Sequence, residues 1–157
     1  MPFSIAFQKE PLLYPYEDGT TAAANGLLIL GDFKEQFLAS LYQWSREQYQ
    51  SQWRNAVEVL LNGKDKAALI TTYGSPEVAT HLEWWPMYLV GNEVFLQNRL
   101  LFYDQLPEPF CVENAFSFLR NRCTTNAEGE AISEWRVGLS EVEAFARKVI
   151  RESAPRG

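Results

Sequence analysis

The sequence predicts an α+β fold, with a mainly antiparallel β-sheet and two principal α-helices in the order strands, helix, strands, helix. Two segments carry the 3.6-residue apolar periodicity of an amphipathic helix. Several short apolar runs lie between them, whereas a parallel sheet would place a single strand between successive helices. The chain has 157 residues, enough for a sizeable core, and we expect residues 1–157 to form a single domain.

The beginning of the chain predicts short strands joined by turns. Apolar runs broken by prolines and glycines predict strands at residues 3–7, 12–16 and 27–30. Residues 33–41 fit two structures. Phe33 and Phe37 stand among polar neighbours in an alternation that favours a strand, whereas Asp32 and Glu35 could cap a helix. We predict a strand here and keep the helix as the alternative.

Residues 45–62 predict the first helix. Ser45 and Gln48 form a capping-box pattern at its start, and Trp44 with Tyr49 fits the hydrophobic staple. Apolar residues recur at helical spacing along one face, at Tyr49, Trp53, Val57, Leu60 and Leu61. Gly63 is expected to end the helix, because glycine takes left-handed backbone angles at little cost.

The middle of the chain predicts a strand followed by a hairpin. Residues 67–74 are rich in β-branched side chains and are expected to form a central strand. Residues 83–103 predict a hairpin that turns at Gly91-Asn92. Pro86 has no N–H to donate, so its arm is expected to lie at a sheet edge or to begin after the proline.

The last part of the chain predicts a strand that turns directly into a helix. A short strand at residues 120–125 is expected to precede it. Residues 132–137 predict the strand itself, and Ser140 with Glu143 predicts the capping box of the helix. Apolar residues then recur on one helical face, at Val142, Phe145, Ala146, Val149 and Ile150. Residues 152–157 are expected to form a frayed tail.

The composition indicates a reduced, cytoplasmic protein. The formal net charge is −6, which argues against nucleic-acid binding because phosphates require a basic surface. Cys111 and Cys123 are too few for a disulfide framework. The N-terminal residues lack the pattern of a signal peptide. No run of the chain approaches the roughly 18 consecutive apolar residues of a membrane helix.

The sequence contains no recognisable catalytic or metal-binding pattern. His81 is the only histidine, and zinc sites use closely spaced ligand pairs. Ser133-Glu134-Trp135 suggests a nucleophile beside a carboxylate, but a serine nucleophile needs a base within hydrogen-bond reach. We therefore predict that the chain is not an enzyme and binds no metal or cofactor. A pair of His81 with Cys111 or Cys123 stays open, because sequence spacing does not test it.

Several motifs together resemble the contact-dependent growth inhibition (CDI) immunity proteins, over positions 31–150. They are a helix with Trp44, Tyr49 and Trp53, the strand before Gly74, and Gly129 followed by Ser133, Glu134 and Trp135. The resemblance implies that the shared tryptophans belong to the core. Trp135 in particular is expected to anchor it.

The resemblance also implies a function and a partner. Such proteins stay in the cytoplasm of the producing cell and bind the C-terminal toxin domain of a matching large surface exoprotein. The toxin is often a nuclease, frequently one that cleaves tRNA, and neutralisation is by stoichiometric binding without catalysis. We therefore expect the partner to be a cognate CDI toxin domain, with no nucleic acid and no membrane. An acidic inhibitor can match the positive surface that a ribonuclease presents to its substrate.

Toxin contacts are expected at acidic residues in predicted loops, which are Glu17, Asp18, Asp104, Glu108, Glu113 and Glu128. The alternative function is single-stranded nucleic-acid binding on a sheet-plus-helix scaffold, because the order of elements also resembles Whirly-type folds. Arg120 and Arg122 lie near Phe116 and Phe118, and such basic and aromatic residues on a sheet can stack bases. The acidic net charge favours toxin binding over this alternative.

Overall fold

A computed structural model describes residues 2–8 and 23–153, and this part of the chain forms two antiparallel sheets with two α-helices. The elements are β1 Phe3–Phe7, β2 Ala23–Leu30, β3 Phe33–Ser40, α1 Arg46–Leu61, β4 Lys66–Thr72, β5 His81–Val90, β6 Glu93–Leu96, β7 Arg99–Phe102, β8 Trp135–Gly138 and α2 Leu139–Ser153. Two 3₁₀ helices, Tyr103–Gln105 and Val112–Phe118, follow β7. The predicted α+β class and the order strands, helix, strands, helix are confirmed.

The first sheet has the order β1-β2-β3, and every pair in it is antiparallel. The predicted strand at 27–30 is confirmed but begins earlier, at Ala23, and the strand interpretation of 33–41 is also confirmed. Phe3, Ile5 and Leu28 point from this sheet into the core and are almost fully buried. The predicted strand at 12–16 lies outside the described residues.

Helix α1 begins and ends where the sequence predicts. The Ser45 side chain accepts a hydrogen bond from the Gln48 N–H at 3.2 Å, and the Gln48 side chain accepts one from the Ser45 N–H at 2.8 Å. The rings of Trp44 and Tyr49 meet edge to face at 5.1 Å, as a hydrophobic staple requires. After the helix, Gly63 takes a φ of +98°, a value that favours glycine.

The second sheet has the order β4-β5-β6-β8, and β7 pairs with β5 beside β6. The prediction that 67–74 forms a central strand is wrong, because β4 lies at the edge of this sheet. The predicted hairpin turn at Gly91-Asn92 is confirmed between β5 and β6.

The edge prediction for Pro86 is also wrong, because Pro86 lies inside β5, the strand with partners on both sides. The Gln97 N–H donates to the Pro86 carbonyl at 3.1 Å, so the proline nitrogen faces the same side. On that side of β5, residues 97 and 98 lie between the end of β6 at Leu96 and the start of β7 at Arg99. The missing donor therefore falls at a break between strands.

Residues 120–125 do not form the predicted strand. Thr125 instead makes one isolated bridge to Ala131. The residues between them form an exposed turn in which Gly129 takes a φ of +82°. The Asn126 side chain holds this turn by accepting from the N–H groups of Glu128 and Glu130 at 3.0 and 2.9 Å. Local side-chain bonds of this kind compete with strand pairing.

The last strand is shorter than predicted, because β8 begins at Trp135 instead of residue 132. Helix α2 begins at Leu139, so the predicted capping box is wrong and Ser140 lies inside the first turn. The Leu139 N–H donates to the Asn92 carbonyl at 2.8 Å, which fixes the chain at this point. Val142 and Phe145 of the predicted apolar stripe are buried. The Ile150 side chain and residues 154–157 lie outside the described part.

One core lies between the two sheets and the two helices. Helix α1 packs on β4, and α2 packs on α1, β1 and β8. None of the helices in the described ranges is both long enough and apolar enough to cross a membrane.

Candidate functional site

The family-signature aromatics of α1 are structural. Tyr49 is fully buried and Trp53 is 2 % exposed, so neither offers a surface to a partner. The Tyr49 hydroxyl donates to the Ser40 carbonyl at 2.7 Å and accepts from the Tyr73 N–H at 2.9 Å. Burial raises the pKa of Tyr49 to about 12, which keeps the phenol protonated and able to donate. Trp44 is buried as well and stacks on Tyr73 at 4.3 Å.

Helix α1 also supplies the hydrogen bonds that the outer edge of β4 would otherwise lack. The Gln52 side chain donates to the Ala68 carbonyl at 2.8 Å and accepts from the Ile70 N–H at 2.9 Å. The Trp53 indole donates to the Ile70 carbonyl at 2.7 Å. These side chains take the place of a neighbouring strand, which closes an edge open to further pairing.

Trp135 joins the two sheets but is not a fully buried anchor. Its ring stacks on Phe33 of the first sheet at 4.3 Å and lies 5.3 Å from Trp85 of the second. Trp135 is half-buried, and Ser133 is exposed and precedes β8. Trp135 therefore packs against the core, as expected for an anchor, and is only partly buried.

Glu134 is held by three hydrogen bonds. It accepts from Arg122 Nε at 2.8 Å, from Arg122 Nη2 at 2.5 Å and from the Gln97 side chain at 2.9 Å. The hydrogen bonds from Arg122 are the main cause that lowers the pKa of Glu134. Arg122 also lies over the Phe95 ring at 4.0 Å. Glu134 therefore joins Arg122 to Gln97, the residue that follows β6.

The Glu134 contact predicts a specific pH dependence. Because the folded pKa lies below the ordinary value of 4.5, the stabilisation is complete above that value and is lost as pH falls through the folded pKa. Glu134→Gln should lower the free energy of unfolding near neutral pH. It should also make that free energy fall less steeply as the pH is lowered towards about 3. Urea midpoints measured across this range test it, with Glu128→Gln as the control. If the urea midpoint depends on pH equally steeply in wild type and E134Q, the prediction is contradicted.

The titratable groups that suggested a nucleophile make separate contacts. The His81 Nδ1 lies 3.0 Å from the Thr80 hydroxyl, and its ring packs on Phe102 at 5.2 Å. Cys123 is exposed and donates to the Thr125 carbonyl at 2.9 Å, and Cys111 is exposed at the start of the second 3₁₀ helix. Across 2–8 and 23–153, no three His, Cys, Asp or Glu residues are grouped so as to hold a metal ion.

The four predicted toxin contacts within the described residues fall in two places. Asp104, Glu108 and Glu113 are exposed on the segment that carries the two 3₁₀ helices. Glu128 is exposed in the separate turn beside Asn126, and Glu17 and Asp18 lie outside the described residues. The structure therefore brings three of the six onto one segment and leaves Glu128 apart from them in the chain.

Residues 73–118 account for most of the net negative charge of the chain. They contain six carboxylates and one arginine, a formal charge of −5 within a total of −6. Burial raises the pKa of Tyr73, and the charges of Glu77 and Glu113 raise it further. Sequence reasoning missed Glu77, whose carboxylate accepts a hydrogen bond from the Ser75 hydroxyl at 3.1 Å.

The arginines that suggested nucleic-acid binding do not form a stacking surface. Arg122 is engaged with Glu134 and Phe95, and Arg120 is exposed on a segment without regular structure. Phe116 and Phe118 are half-buried in the second 3₁₀ helix and not on a sheet face. These four residues therefore do not form the sheet face that base stacking requires.

Comparison with known proteins identifies the family. The family model described as "CdiI N-terminal domain" matches residues 39–145. The protein is similar to "Immunity protein CdiI" of Enterobacter cloacae subsp. cloacae, with 27 % identity over 118 residues that cover 75 % of this chain and 81 % of the relative. It is also similar to a chain of the solved "CdiA-CT/CdiI toxin and immunity complex from Enterobacter cloacae", with a TM-score of 0.84, 25 % identity, and coverage of 95 % and 99 %. The family model matches more than half of this chain, so the chain belongs to the CdiI family of CDI immunity proteins.

Proposed function

We propose that this protein binds the C-terminal toxin domain of a cognate CDI exoprotein and neutralises it by stoichiometric blocking, without catalysis. The observation that carries the proposal is the match, over 95 % of the chain, to a structure described as a toxin and immunity complex. Among the described residues, no hydrogen bond joins His81 to Cys111 or Cys123, which supports a binding role because a nucleophile needs a base within hydrogen-bond reach.

The proposal includes the class of toxin and the place of action. The toxin is a nuclease, with tRNA as the candidate substrate, and the immunity protein meets it in the cytoplasm of the producing cell. A nuclease must present positive surface to phosphates, and the exposed carboxylates of Asp104, Glu108 and Glu113 supply negative charge that complements such a surface. Charge complementarity of this kind speeds association and orients the two partners.

Co-expression with the toxin domain encoded beside this gene tests the proposal. Cells that produce the toxin domain alone should stop growing, and cells that produce both proteins should grow and yield a one-to-one complex. An inactive toxin variant and isothermal titration would supply the affinity. A toxin domain that neither binds this protein nor loses its toxicity in its presence would refute the function.

Ser133→Ala tests the structural interpretation of the Ser133-Glu134-Trp135 stretch. Ser133 is exposed outside β8, and serine chemistry plays no part in blocking by binding. We therefore expect S133A to protect cells as well as wild type does. Its free energy of unfolding should lie within about 0.5 kcal/mol of the wild-type value, as for other exposed positions. Loss of protection with an intact fold would show that Ser133 takes part in function.

A further inference from the structure

A groove of about 470 Å³ lies between α1 and the second 3₁₀ helix, beside the outer edge of β4. Its lining residues come from both sides and are Trp44, Gln48, Ser51, Gln52, Asn55, Ile70, Val112, Glu113, Ala115 and Phe116. Gln48, Ser51 and Asn55 are exposed along the α1 side, and Glu113 is exposed on the other side. The groove is therefore open to a partner and combines aromatic, amide and carboxylate groups.

The charge of the groove is one-sided. Glu113 is its one ionised side chain, and no lysine or arginine lines it among the described residues. Glu113 forms no ion pair within the described part of the chain. An incoming cation would meet the Glu113 carboxylate and no competing positive side chain from the lining.

The floor of the groove is held rigidly. Gln52 is bound at both ends of its amide to β4, and Trp44 is stacked on Tyr73. A site whose side chains are already fixed loses little conformational entropy when a ligand binds. The Phe116 ring is half-buried and lines the groove, so it is an aromatic surface on which a planar cation can pack.

We infer that this groove receives an arginine side chain of the toxin domain, with Glu113 accepting hydrogen bonds from its guanidinium group. Arginine fits better than lysine, because the guanidinium is planar, is weakly hydrated, stacks on aromatic rings and can bind a carboxylate through two N–H groups. The inference rests on the proposed function, since the toxin domain supplies the arginine. It assigns one of the six predicted contact residues a specific role.

Two substitutions test the groove from opposite sides. Glu113→Lys replaces the acceptor with a repelling cation, and Ser51→Arg places a guanidinium of this chain at the mouth of the same groove. Each should weaken binding of the inactive toxin domain by roughly 10- to 100-fold, mainly through faster dissociation. Glu143→Lys makes the same charge change on α2, away from the groove lining, and should leave Kd within about threefold. Surface plasmon resonance provides both rate constants.

The outcomes separate the inference from the function on which it rests. If wild type binds the toxin domain and E113K and S51R bind equally well, the groove is not the arginine site, although the immunity function stands. If E143K weakens binding as much as E113K, only the overall charge matters and the inference fails. If wild type does not bind, both fail together. Glu113→Gln, which is isosteric, replaces E113K should that variant not fold, and it should weaken binding in the same direction.

Discussion

Trp53→Ala should lower the free energy of unfolding by about 3–5 kcal/mol, a typical loss for a buried tryptophan truncated to alanine. The indole is 2 % exposed, and it packs against Phe7 at 5.0 Å and Phe37 at 5.8 Å between ring centres. The substitution would leave a large cavity between α1 and the first sheet. It would also remove the only donor described for the Ile70 carbonyl at this edge of β4.

Trp53→Phe separates these two causes. The phenyl ring keeps part of the packing but has no N–H, so we expect about half of the loss. Urea unfolding followed by circular dichroism gives both values. A loss below about 1 kcal/mol for W53A would mean that neighbouring side chains fill the cavity, and that Trp53 contributes little to core stability.

Gln52→Leu should cost about 2–4 kcal/mol, even though leucine is the better residue for a buried position. The side-chain amide satisfies both the Ala68 carbonyl and the Ile70 N–H, and a leucine would leave two backbone groups of β4 buried without partners. Each orphaned group costs about 1–3 kcal/mol. The variant should also aggregate more readily, because the edge of β4 becomes available to another strand.

Gln50→Leu is the matched control, because Gln50 is on the same helix and exposed. It should change stability by no more than about 0.5 kcal/mol. Thermal midpoints and light scattering of the two variants, measured side by side, distinguish a general effect of leucine from the loss of the amide. Equal stability of Q52L and Q50L would show that water replaces the glutamine at the edge.

The parts of the fold that depend on local chemistry were predictable from the sequence. Helix α1 follows from Ser45, Gln48 and Gly63, whose capping and stop signals act within a few residues. The hairpin of β5 and β6 follows from the Gly91-Asn92 turn for the same reason. Where two neighbouring signals agree, the fold has little freedom to override them.

The errors arose where distant residues decide the structure. Pro86 is tolerated within an inner strand because its nitrogen faces the gap between the end of β6 and the start of β7, where no strand needs a donor. Residues 120–125 stay irregular because Glu134 and Gln97 hold Arg122 and the Cys123 carbonyl in place of strand pairing. The role of Gln52 was equally hidden, since a glutamine in the middle of a helix usually faces solvent.

The candidate site was predictable only in part. Negative charge on loops pointed to Glu113, but the groove beside it depends on how α1 and the second 3₁₀ helix meet, which no local pattern records. The family resemblance supplied the function, and its motif residues proved to be mainly core and support. Residues that preserve a fold are easier to recognise in a single sequence than those that choose a partner.

This separation between framework and contact surface has a consequence for how such proteins diversify. The groups that hold the second sheet together are buried on α1 and β4, whereas Asp104, Glu108 and Glu113 are exposed and contribute little to the core. Substitutions at exposed positions usually change stability by about 0.5 kcal/mol or less. A descendant of this protein can therefore exchange residues of the proposed contact surface, and so bind a different toxin, while the scaffold inherited from its ancestor stays folded.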